Sequence, residues 1–80
     1  MPTDYQPIAC GFHDELGLRM LRGASCTLVI DGADGPTTLD TRIEDLFTEG
    51  DEEFIRTSDG QRIRLDRIRS VDGVARPGAC

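Results

Sequence analysis

Cys10 and His13, separated by two residues, are the pair in this chain whose side chains most readily do chemistry. At that spacing they supply half of a tetrahedral zinc site, which Cys26 or Cys80 would complete, or a thiolate nucleophile beside a base. The rest of the chain supports neither. His13 is the sole histidine, the three cysteines form no CxxC pair, and no third orienting group or oxyanion donor accompanies them. Neither GxGxxG nor a Walker loop occurs, and there is no lysine. The expectation is no catalytic residue, no metal and no cofactor.

A second constellation is acidic. Asp4 and Tyr5 precede Cys10, Asp14 and Glu15 follow His13, and Glu49, Asp51, Glu52 and Glu53 cluster in mid-chain. An acidic rim with an amphipathic tyrosine can enter a basic cleft that normally holds nucleic acid, neutralising the same Lys and Arg groups that phosphates do. The bland alternative is a solvated surface that aids solubility.

The formal charge is −6, from fifteen acids against nine basic residues, all of them Arg. Residues 1–55 hold twelve acids against Arg19, Arg22 and Arg42, a net −9, whereas residues 56–80 hold six Arg against Asp59, Asp66 and Asp72, a net +3. Such segregation fits either two faces for two partners or Arg–acid pairs across neighbouring strands, the ordinary arrangement. An acidic protein repels phosphate, so RNA binding would need a basic patch with exposed aromatics. The Arg-rich last third offers Arg62, Arg64 and Arg67, but only Phe54, which is expected to face the core.

These groups must be positioned by a thin core, because 80 residues with 38% hydrophobics make one small domain. Phe12, Leu16 and Met20 fall four apart and predict one amphipathic helix over about 12–22, with Asp14 and Glu15 in its first turn and Gly23 just past its end. Gly17 costs that helix about 1 kcal/mol relative to Ala, so the domain must hold it in place. After Gly23 the period becomes two. Cys26, Leu28 and Ile30 share one face, "DGADG" at 31–35 supplies a hairpin turn, and Leu39, Thr41 and Ile43 continue on a second strand. A third segment is expected around Leu46 and Phe47, then an acidic turn at 49–53, a strand through Phe54–Arg56, a second hairpin at Ser58–Gly60 and a return through Ile63 and Leu65. Alternation breaks between Leu65 and Ile68, which predicts a bulge or one-turn bend at a barrel corner.

The fold expected is mainly β with one N-terminal helix, a small, partly open antiparallel barrel of the SH3-like or OB-like kind, best matched by an Sm-like order. Residues 1–71 form the domain and 72–80 a disordered tail. An odd cysteine count argues against a disulfide framework. With no apolar run of membrane-spanning length and no signal-peptide pattern, a reduced, cytoplasmic protein, monomeric when free, is expected.

"YQPIAC" at the start, the short helix, "DLF" in mid-chain and "IRLDRIRSV" near the end resemble the Rho-binding antiterminator family (Rof or YaeO), small bacterial modulators of Rho-dependent transcription termination. The resemblance spans about Asp4 to Val71. Its more specific parts are Tyr5-Gln6-Pro7-Ile8 with Cys10, and Leu65-Asp66 with Ile68. It implies an Sm-like fold with an N-terminal helix, and binding to the N-terminal RNA-binding (OB-fold) domains of the Rho hexamer, where the protein blocks the primary sites for C-rich RNA. No direct nucleic-acid binding and no membrane are implied. The family uses acidic residues around the helix, here Asp14 and Glu15. It typically has acids directly after the motif cysteine, where this chain has Gly11 and Phe12, so Asp4, Tyr5 and His13 are expected to carry more of the contact.

Overall fold

Hydrophobic period changes from four to two at Gly23, and the chain passes from helix to sheet there. In the computed structural model, which describes residues 5, 6 and 8–76, helix α1 spans Cys10–Arg22. It buries Phe12 and Leu16 and packs Met20 against the same core. Gly23 adopts φ +62°, donating its N–H to the Met20 carbonyl while Ala24 donates to Arg19, a left-handed ending that glycine adopts without a Cβ penalty. The helix starts before its hydrophobic periodicity does. Ala9 is extended, and its carbonyl accepts from both Phe12 and His13. Asp14 and Glu15 therefore lie beyond the first turn, which holds no acid, and no capping side chain announces the start in the sequence.

Strands β1 (Ser25–Gly32) and β2 (Gly35–Glu49) form the first hairpin, in register from Ser25 opposite Arg42 to Gly32 opposite Gly35. Cys26 and Leu28 are buried on the inner face of β1, and Thr41 and Ile43 on that of β2. The segment around Leu46 and Phe47, expected as a separate strand, is the second half of β2. Ile43 pairs with Thr57 and Asp45 with Arg56, so Glu44 is an extra residue, a bulge. Beyond it the faces exchange. Leu46 opposes Ile55 on the core side and Phe47 opposes Phe54 on the outside. Strand β3 (Glu52–Thr57) continues into β4 (Arg62–Arg64) through a turn at 58–61. Fully buried Thr57 directs its hydroxyl to Asp59 and accepts the Gln61 N–H at 3.1 Å.

The break in alternation after Ile63 is one turn of 3-10 helix at Leu65–Arg67, followed by β5 (Ile68–Val71) against β1. Leu65, Ile68 and Val71 are fully buried, the three-residue spacing of that turn keeping all of them inward. The sheet order is β4-β3-β2-β1-β5-β6, antiparallel throughout. It is not closed into a barrel: among the described residues no ladder joins β4 to β5, although a single turn links them. The fold is thus mainly β with one helix.

The tail expected to be disordered from Asp72 begins instead as a tight hairpin. Asp72 (φ +51°) and Gly73 (φ +82°) return the chain into β6 (Val74–Ala75), which pairs with β5. Asp-Gly is a hairpin pair, but the strand it feeds is only two residues long and shows no alternation. Residues 77–80 lie outside the described residues. Asp72 also clasps the helix. Its carboxylate accepts the Thr27 N–H at 2.8 Å and the Arg19 Nε–H at 2.7 Å, and its own N–H donates to the Thr27 carbonyl.

Two outcomes test this account. Leu16→Ala lowers stability by about 2–5 kcal/mol in urea denaturation, because it opens a cavity under the helix. The Arg19 guanidinium and the Thr27 N–H hold the Asp72 carboxyl below its ordinary value, and hydrogen bonds from Thr57 and Gln61 do the same for Asp59. A carboxyl held low in the folded state contributes stability above its unfolded value and loses it as pH falls through the folded one. Stability therefore declines below about pH 4. Asp72→Asn, which keeps the left-handed turn, is less stable at pH 7 and shows a shallower acid decline in thermal melts at a series of pH values.

Candidate functional site

The helix start and the β2–β3 turn are far apart in sequence and meet in space. His13, in the first turn of α1, lies 2.8 Å from Glu53 at the start of β3. That contact brings Asp14 and Glu15 into the same region as the carboxylates at 49–53. These groups are not equivalent. Glu15 is drawn back along the helix to Arg19 at 3.1 Å, Glu49 is held by Arg62 at 2.7 Å, and Glu52 lies 3.7 Å from Arg64. Asp14 and Asp51 are exposed and, among the described residues, enter no ion pair. Asp4 lies outside the described residues.

Tyr5 occupies a different place from the presented side chain expected of it. It is 8% exposed and belongs to the core cluster, with the Arg64 guanidinium 5.8 Å from its ring. Burial, reinforced by the nearby charges of Glu53 and Asp66, pushes its phenol above the ordinary value. Arg64 in turn is gripped by Asp66 through Nε at 2.6 Å and a second nitrogen at 2.9 Å, and Asp66 accepts the backbone N–H of Gln6 at 3.0 Å. Tyr5 and Gln6 from one of the more specific sequence features therefore meet Asp66 from the other, with Arg64, in one latch. It straps the segment before α1 onto the turn after β4. Nothing in the local sequence announces it, since its partners are about sixty positions apart.

The arginines of the last third are largely engaged within the fold. Arg56 faces Asp45 across β2–β3 at 3.6 Å, Arg69 reaches Asp31 across β1–β5 at 2.6 Å, and Arg76 donates to the Asp66 carbonyl. Arg62 crosses the outer face to Glu49, its guanidinium 4.3 Å above the Phe54 ring. Phe54, expected to face the core, is buried but stands apart from the central cluster, stacked on Phe47 with centroids 5.6 Å apart beneath that arginine. The alternation of β3 sets its side, since neighbouring Ile55 faces the core cluster, and the bulge at Glu44 is what places Phe47 opposite it. Of the six arginines, Arg67 alone is left without an ion pair or hydrogen bond among the described residues.

Cys10 is exposed at the helix start and Cys26 is buried in β1, where desolvation pushes its thiol up; Cys80 lies outside the described residues. No group of three or more metal-ligating side chains assembles among the described residues. No helix among them is long and apolar enough to cross a membrane.

The latch has a measurable consequence. Asp66→Ala leaves the half-buried Arg64 without its main carboxylate and releases Gln6, costing about 3 kcal/mol in chemical denaturation and accelerating hydrogen exchange at the Gln6 amide. Compared with models of known protein families and with curated proteins, the chain matches none.

Proposed function

We propose that this chain is a non-enzymatic inhibitor of Rho-dependent transcription termination, binding the Rho hexamer at the primary sites of its N-terminal RNA-binding domains and blocking RNA loading. The reading rests on the resemblance of "YQPIAC" and "IRLDRIRSV" to the Rho-binding antiterminators and on one physical observation: the charge left over after internal pairing. Four of the last six arginines, Arg56, Arg62, Arg64 and Arg69, are in ion pairs. Asp14 and Asp51, beside the His13–Glu53 contact, retain exposed, unpaired carboxylates. A cleft lined with Lys and Arg takes such carboxylates through the same charge-assisted bonds that it gives phosphates. Inhibition then follows occupancy, with no turnover, and places the protein in the cytoplasm. The same charge balance weighs against an RNA-binding module built on Arg62, Arg64 and Arg67, because the first two already hold carboxylates.

The test is a pull-down with purified Rho combined with competition against C-rich single-stranded RNA. The expected result is binding that displaces RNA and weakens as salt rises. Replacing Asp14 and Asp51 together with Asn lowers affinity by about tenfold and flattens the salt dependence. Absence of binding at low salt, or binding that leaves RNA loading untouched, overturns the proposal. Tight binding of the chain itself to single-stranded RNA, lost when Arg62, Arg64 and Arg67 are replaced, favours the RNA-binding alternative.

A further inference from the structure

Helix α1 carries a second apolar face. The inward stripe of Phe12, Leu16 and Met20 accounts for its docking on the sheet, yet Leu18 is 44% exposed and Leu21 is 80% exposed. With Asp14 and Gly17 they fall at positions i, i+3, i+4 and i+7, one line along the helix, and with His13 they line a shallow groove of about 410 Å³. That spacing is the pattern by which an amphipathic helix anchors in a partner's groove.

Gly17 sharpens the point. It sits mid-helix, where glycine is destabilising relative to alanine, and the fold gives no reason for it. Its φ is ordinary for a helix and a Cβ built there meets nothing within 4 Å. A glycine that the free molecule does not need, centred on an exposed face between Asp14 and Leu21, leaves room for an approaching surface. Charge indicates what that surface is like, since Asp14 heads the line without an ion pair and the line starts beside the acidic β2–β3 turn.

We infer that the outer face of α1 docks, through Leu18, Leu21 and the gap at Gly17, into an apolar groove of a partner protein bordered by Lys or Arg at the Asp14 end. This rests on the reading of the chain as a Rho ligand and adds an apolar anchor to an otherwise electrostatic contact. Arg22 follows Leu21 at the far end, so the basic border of the groove is needed at one end only.

Affinity for the Rho hexamer, measured by isothermal titration calorimetry in low and high salt, tests it with four variants of the full chain. Leu18→Ser and Leu21→Ser, both at exposed positions, keep the parent melting temperature and bind about tenfold more weakly, and this loss persists in high salt. Gly17→Ala melts about 4 °C higher yet binds about fivefold more weakly. Val74→Ser, at the remaining large exposed apolar side chain, binds as the parent does. Parent affinity in Leu18→Ser, Leu21→Ser and Gly17→Ala overturns the inference while leaving Rho binding intact. Failure of the parent to bind Rho overturns the reading beneath it, and the inference with it. Concentration-dependent dimers of the free chain that Leu21→Ser abolishes in sedimentation assign the face to a second copy and overturn the inference as well.

Discussion

A single strand, β2, has to serve two neighbours that diverge: its first half pairs with β1 and its second with β3. A regular fifteen-residue strand would keep one face inward along its whole length and could not turn from one neighbour to the other. The unpaired residue at Glu44 supplies the bend and exchanges the faces. Much else is a consequence. Leu46 reaches the core while Phe47 is placed outside, opposite Phe54 and stacked on it. The β2–β3 turn is carried to the helix start, so that Glu53 can find His13. The turn at Leu65–Arg67 completes the curvature by bringing β5 back against β1 without a closing ladder.

What the sequence discloses about this arrangement is what depends on neighbours in the chain. The stripe of Phe12, Leu16 and Met20, the left-handed glycine at position 23, the alternation of Cys26 and Leu28, and the lost period between Leu65 and Ile68 are local patterns, and the molecule follows them. Less legible are features that depend on distant partners or on the backbone alone. Ala9 starts the helix through its carbonyl, a group every residue has. Glu44 looks like any exposed strand residue, because a bulge is defined by the partner strand's count. Tyr5 carries a hydroxyl that suggests presentation at a surface, but its ring packs in the core cluster near Arg64, about sixty positions away. The candidate surface was legible as a set of carboxylates; which of them stay unpaired was not, because pairing is decided by strand register.

The charge segregation along the chain also changes meaning once the register is known. An acidic first part and a basic last part suggest two opposed faces, yet the antiparallel ladders bring the two together and pair Arg56, Arg62 and Arg69 with carboxylates on other strands. Exposed pairs of this kind add little stability individually. Their larger effect is to leave a residue of negative charge in a few places, so the field of the molecule is set by its exceptions.

Asp66 joins both ends of the described chain. Its carboxylate holds the Gln6 amide and its carbonyl receives Arg76, while its other carboxylate bonds grip Arg64. In mechanical terms it is a common anchor: the Gln6 backbone on one side and the Arg76 side chain on the other both bear on one residue in a single 3-10 turn. That turn links β4, at one edge of the six-strand sheet, to β5, the strand next to the other edge. The two ends of the described chain are thus tied together at the seam where the sheet is unclosed.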